Sequence, residues 1–180
     1  QIDSLVDEGI DLLVVCPNQL DGVTKAIDRA YDKGIPVIFF DRTTKSNKYT
    51  AFIGCDNYRI GFDLGTYIAN QLNGSGRVVE IRGLENSSPA KGRHEGFVDA
   101  LKNYPDVKIV ASEAADWEQA GAEKAMDKIL SKTTDFDYVY AHNDRMAYAA
   151  FLTMRRHNLS GKAKFVGVDG LLGKGGGVEM

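Results

Sequence analysis

The residues able to do chemistry in this chain collect at the ends of short apolar runs. They are Cys16-Pro-Asn18, Asp41-Arg42, Leu84-Glu-Asn-Ser-Ser, Asp116-Trp117, His142-Asn143-Asp144 and Asp169-Gly170. Carboxylates, amides and a guanidinium beside one indole suit a neutral, hydroxyl-rich ligand such as a sugar. The ring covers C–H groups, and the polar groups bracket hydroxyls. Such a site rejects the wrong analogue because a missing hydroxyl leaves buried polar groups unpaired. Asn, Asp and Ser are also ordinary turn formers, so each one alone fits a structural role. Their recurrence at almost every joint points to a shared site.

Arg93 is the sharpest single residue. In SSPAKGRHEGF a helix is expected to begin near Pro89, which sets Lys91, Arg93 and His94 in its first turns. Cations there oppose the helix dipole, at about 0.3–1 kcal/mol each. Lys91 and His94 fit solvated side chains, whereas the planar fork of Arg93 suits bidentate hydrogen bonds. Trp117, the only tryptophan, either staples its helix to a sheet or offers its face to a ligand. No catalytic residue, cofactor or metal is expected. There is no GxSxG elbow, and His94, His142 and His157 have no ligand spacing with Cys16 or Cys55. GLLGKGGG looks like a phosphate loop, but its Gly-Lys is followed by Gly instead of Ser or Thr.

The elements that must position these residues repeat one unit: a β-branched run, a polar joint and an amphipathic helix. Strands are expected at 11–15, 36–40, 49–54, 77–81, 107–111, 137–141 and 164–168, and helices at 19–33, 57–72, 89–103, 117–131 and 144–158. In the last helix Met146, Ala149, Ala150, Thr153 and Met154 keep helical spacing. Asp116-Trp-Glu-Gln119 fits a capping box, and Ser88-Pro89 places Pro at a helix start. Near-continuous apolar strands imply burial on both faces. The alternation predicts an α/β fold with a doubly wound, Rossmann-like parallel sheet. PVIFF and YTAFIG are joined without a helix, so a passage between two lobes is expected near Cys55–Asp56, giving 1–55 and 56–180.

Bulk properties exclude several classes. A net charge of −3 argues against a nucleic-acid surface, and no apolar run approaches the roughly 18 residues of a membrane span. The opening QIDSLVDEG reads as mid-helix and the closing GLLGKGGGVEM as unfinished, so a fragment of a longer chain is expected. Cys16 and Cys55 read as small buried hydrophobes, with a disulfide between them left open. The sequons at Asn86 and Asn158 would matter only in a secreted eukaryotic chain.

Taken in order, GIDLLVVCPN, GIPVIFFDR, YTAFIGCDNYRIG, GRVVEIRGL, SSPAKGRHEGF, ADW, YAHNDRMA and FVGVDG resemble the ribose-binding, type I periplasmic sugar-binding fold, whose core the lactose-repressor family shares. YTAFIGCDNYRIG, HNDRMA and GVDGLLGKGGGVEM are most similar to periplasmic sensor domains of hybrid two-component regulators from Bacteroidetes. The resemblance implies two lobes closing on a monosaccharide, without chemistry, in the periplasm. It places ligand contacts at Asp41, Arg93, Trp117, Asn143 and Asp169, with Cys55 and Leu84 beside them, and leaves Asp144 to cap or brace its helix.

Ribose binders carry an aromatic before the last Asp, where this chain has Val168, which points away from ribose itself. The family's opening strand–helix unit and its returning segment have no counterpart here, so both lobes are expected to be incomplete. A bare remnant of the first lobe would favour homodimers and weak ligand binding by residues 1–180 alone. The resemblance fits a sensor domain joined to a membrane through other segments. It also fits a soluble transporter component, or a repressor core if a DNA-binding segment lies upstream. An enzyme of unrecognised type is the remotest reading.

Overall fold

The computed structural model describes residues 1–173, 176 and 177. Two parallel sheets form, each in its own compact unit. The first unit holds Gln1–Asn57 and Asn86–Pro89; the second holds Tyr58–Glu85 and the chain from Ala90 onward.

In the first unit, α1 (Ile2–Asp7) leads to β1 (Leu13–Val15), α2 (Thr24–Asp32), β2 (Val37–Phe40) and β3 (Ala51–Ile53). The sheet order is β1-β2-β3, all parallel. Val6, Leu13, Ile27, Ala30, Val37 and Phe39 form its core. The helix expected from residue 19 starts only at Thr24, because Asp21-Gly22 makes a turn and Gly disfavours helix. Burial on both faces does not hold here, since Val14, Phe40 and Ile53 are exposed. Cys16 and Cys55 are exposed free thiols, neither buried nor bridged. Each lies one or two residues beyond the end of a short strand and so has left the apolar core.

The second unit takes α3 (Asn57–Gln71) from its second residue, β4 (Ser75–Arg82), α4 (Ser88–Leu101) from its third residue, β5 (Asp106–Ala114), α5 (Gln119–Leu130), β6 (Tyr138–Ala141), α6 (Asp144–Arg156) and β7 (Lys164–Val166). Its sheet has the parallel order β5-β4-β6-β7. Strand residues alternate between two cores. Val78, Tyr138 and Tyr140 pack with Ile68 and Phe97 of α3 and α4, whereas Val79, Ile81, Val139 and Ala141 pack with Met126 and Met146 of α5 and α6. Helices therefore cover both faces, as the doubly wound α/β pattern requires. Met146, Ala149, Ala150, Thr153 and Met154 are all buried, as their spacing implied.

Two helix starts differ from expectation. The capping box at Asp116 does not form: α5 begins at Gln119, and Glu118 takes the N-cap position without a side-chain bond. Asp116 and Trp117 instead adopt left-handed backbone, with φ of 53° and 71°, so the chain enters the helix two residues later than a cap at 116 would allow. At α6 the cap is Asn143, whose Oδ1 accepts the Met146 N–H at 2.8 Å. Asp144 braces the following loop, accepting the Leu171 N–H at 2.7 Å. The phosphate-loop-like run 170–177 lies partly outside the described residues.

Candidate functional site

In the sheet of the second unit, β4 connects through α4 toward β5 on one side, and β6 connects through α6 toward β7 on the other. The connections diverge between the adjacent strands β4 and β6. This is the switch point beyond whose strand ends α/β sheets bind ligands. Gly83-Leu84 follow β4 there, and His142-Asn143 follow β6.

Arg93 lies in the second turn of α4, and its guanidinium donates to the main-chain carbonyl of His142. That bond accounts for a cation near a helix start. The guanidinium carbon also stands 5.6 Å from the centroid of the Trp117 ring, within cation–π range. The indole lies where a Cβ on Gly83 would have to be. Asn143 Nδ2 reaches the Trp117 carbonyl at 3.4 Å. The structure thus brings Arg93, Trp117 and Asn143 to one place, with half-buried Leu84 next to Gly83. Trp117 is half-buried, and it both packs against the α5–α6 core and meets Arg93.

Asp169 is exposed, with φ of 105°. Its segment is pinned by Asp144, whose N–H donates to the Val168 carbonyl at 2.9 Å. In the first unit Asp41, exposed at φ 62°, follows β2 and lies 3.6 Å from the Arg42 guanidinium, which donates to Asn18 Oδ1 at 3.1 Å. Asp41, Asp116, Trp117 and Asp169 all hold left-handed backbone just beyond strand ends. For non-glycine residues that conformation costs of the order of 1–3 kcal/mol and concentrates at functional sites. Cys55 is an exposed thiol after β3.

Beneath Arg93 and Trp117 lies a cluster that the sequence reading missed. Glu80, in the middle of β4, is fully buried. His142 Nε2 donates to Glu80 Oε1 at 3.1 Å, His94 Nδ1 donates to Oε2 at 2.9 Å, and Ser112 Oγ donates to Oε2 at 2.6 Å. Burial alone would push the Glu80 carboxyl up, but the bonds from His142, His94 and Ser112 outweigh it and bring it down to about 2. Burial holds His142 below its ordinary value despite Glu80. A neutral ring fits its bonds, because Nδ1 accepts the Gly83 N–H at 3.3 Å while Nε2–H donates. His94 is raised by its bond to Glu80; it is not the solvated side chain expected. The available signal was the one carboxylate inside the apolar run RVVEI.

No group of His, Cys, Asp and Glu suited to a metal occurs among the described residues. A cavity of about 400 Å³ lined by Tyr67, Tyr138, Phe151, Lys164, Phe165 and Val166 opens beside β7 and contains none of the candidate residues.

Comparison with known proteins places this geometry among relatives. A family model described as periplasmic binding protein domain matches residues 1–174. The fructose-binding periplasmic domain of a hybrid two-component system superposes with a TM-score of 0.94 at 45% identity, over 99% of this chain and 59% of that one. A galactofuranose-binding protein superposes with a TM-score of 0.87 at 27% identity, over 94% of this chain and 60% of that one. The ribose import binding protein of Bacillus subtilis is 30% identical over 172 residues, which is 94% of this chain and 54% of the relative. The chain therefore spans about half the length of the curated relatives it matches. Each of these relatives is a binding protein or binding domain by name.

Proposed function

The chain belongs to the periplasmic binding protein domain family, and we propose that it binds a monosaccharide, without chemistry, as part of the periplasmic sensor domain of a two-component regulator. The observation that carries this reading is Arg93 held between the His142 carbonyl and the Trp117 ring at the switch point of the second sheet. A flat indole beside a guanidinium and an amide suits a sugar ring, and the similarity to a fructose-binding sensor domain supports the assignment. Trp117 would stack on the sugar, Arg93 and Asp169 would bond hydroxyls, and Leu84 would line the site. With Oδ1 committed to the helix cap, Asn143 would offer only its Nδ2.

Asp41 and Cys55 are proposed as further contacts on the resemblance of their segments alone. Residues 1–55 would form part of a first lobe and 56–180 most of a second. Attachment to a membrane would need other segments, since no helix among the described residues is long and apolar enough to cross one. Homodimers are proposed to form through the bare face of the first sheet.

Titration calorimetry of the complete protein against D-fructose, D-ribose and L-arabinose tests the reading. Arg93→Ala should weaken binding about 10–100-fold, because partner groups are left buried and unpaired. Unchanged affinity would remove Arg93 from the site. Similarity to a ribose import protein favours a second reading, a soluble component delivering sugar to a transporter. The residues flanking this chain decide between them: membrane spans and a kinase support the sensor.

A further inference from the structure

We propose that Glu80 is the positioning residue of this site: one buried carboxylate ties α4, which carries Arg93, to the end of β6, which carries Asn143. The proposal rests on the reading of Arg93, Trp117 and Asn143 as ligand contacts. Its observation is a symmetry of neighbours. His94, directly after Arg93, and His142, directly before Asn143, both donate ring N–H groups to the same carboxylate, at 2.9 Å and 3.1 Å. Helix and strand end are thus fastened one residue away from the side chains that would meet the ligand.

The bracket extends further. His142 accepts the Arg93 guanidinium on its carbonyl and the Gly83 N–H on its ring, and Gly83 supports the Trp117 indole. The Gly83 N–H thus bonds the imidazole that Glu80 holds, and the Arg93 guanidinium bonds the main-chain carbonyl of the same residue. A buried carboxylate is costly unless charge and hydrogen bonds satisfy it. Glu80 has three donors, and the partly exposed His94 is the one able to bring a compensating charge. A carboxylate in mid-strand is not needed for packing, since Val78, Val79 and Ile81 already fill both cores. Its bonds run to the elements that bear the site.

The test is made in the complete protein with D-fructose, D-ribose and L-arabinose as probes. Glu80→Gln keeps the volume and removes the charge; with the fold verified by circular dichroism, binding of the sugar that the wild type takes should weaken about tenfold or more. His94→Ala should weaken it as well, and His94→Gln, which keeps an N–H donor, should restore most of the loss. A purely space-filling role would not distinguish those two variants. Wild-type affinity in Glu80→Gln or in His94→Ala overturns the proposal, and if Glu80→Gln does not fold, the His94 pair decides. If the wild type binds none of the probes, the ligand reading has failed. Imidazole ¹⁵N resonances then decide the bracket: a shift of the His142 signals in His94→Ala supports coupling through Glu80, and unmoved signals overturn it.

Discussion

The benzo edge of the Trp117 indole occupies the space that a Cβ on Gly83 would need. Glycine at the end of β4 is therefore what lets the ring lie beside the Arg93 guanidinium. Gly83→Ala should swing the indole away and loosen its packing on the α5–α6 core without moving backbone, because the overlapping atoms belong to the far edge of one side chain. Trp117 is the only tryptophan, so its fluorescence reports the displacement without interference. A shifted emission maximum with weaker sugar binding is expected; an unchanged spectrum would show that the ring does not rest on Gly83.

The Glu80 cluster makes stability depend on pH in both directions. Glu80 sits at about 2 against an ordinary 4.5, so its contribution is complete above pH 4.5 and is lost as pH falls toward 2. His142, held below 6.5 by burial, stays neutral while the unfolded chain takes up a proton, and stability falls as pH drops beneath 6.5. His94 acts in the opposite sense. Raised above 6.5 by Glu80, it contributes fully below 6.5, and that contribution is lost as pH rises through its folded value. Thermal melts across this range should show an acid-side decline that steepens below 4.5, and a shallow alkaline-side decline that disappears in His94→Ala. A midpoint constant from pH 6.5 down to 4.5 would remove His142 from this account.

How far the sequence was legible follows from what each residue depends on. Strand runs such as DYVYA and helix spacings such as Met146–Thr153 are local, and the structure has both. The Asp116-Trp-Glu-Gln119 pattern satisfied the capping rule in sequence, yet two left-handed residues delay the helix. The ring of Trp117 lies over Gly83, a neighbour 34 residues away that no local pattern records. Asn143 and Asp144 exchange parts for a similar reason. Asp144 is drawn to the 168–171 loop, a partner distant in sequence, and leaves the cap to its neighbour. Glu80 was readable only as an anomaly in RVVEI, because its partners arrive from α4, β5 and β6.

Tyr140 offers a check on packing alone. Its ring is fully buried 4.6 Å from Phe97, and its hydroxyl has no hydrogen-bond partner among the described residues. Burial pushes its ionisation well above the usual tyrosine range. A buried hydroxyl without a partner costs about 1–3 kcal/mol, so Tyr140→Phe should leave stability unchanged or raise it by up to about 1 kcal/mol. Denaturant unfolding measures this. A loss larger than that gain would show that the hydroxyl is bonded.

The first sheet carries the last prediction. Registers Val14↔Ile38↔Ala51 and Phe40↔Ile53 put these residues on one face, while Leu13, Val37 and Phe39 are buried in the α1–α2 core on the other. Parallel sheets are ordinarily covered on both faces, yet Val14, Phe40 and Ile53 are 59%, 54% and 55% exposed. An apolar patch of this kind favours association, and a second copy of the chain presents the same patch. The 180-residue chain expressed alone should therefore sediment as a concentration-dependent dimer or larger species. Val14→Lys or Ile53→Lys should shift it to monomer at little cost to folding, because both positions are exposed. Monomeric sedimentation of the unmodified chain at every concentration would rule out association through this face.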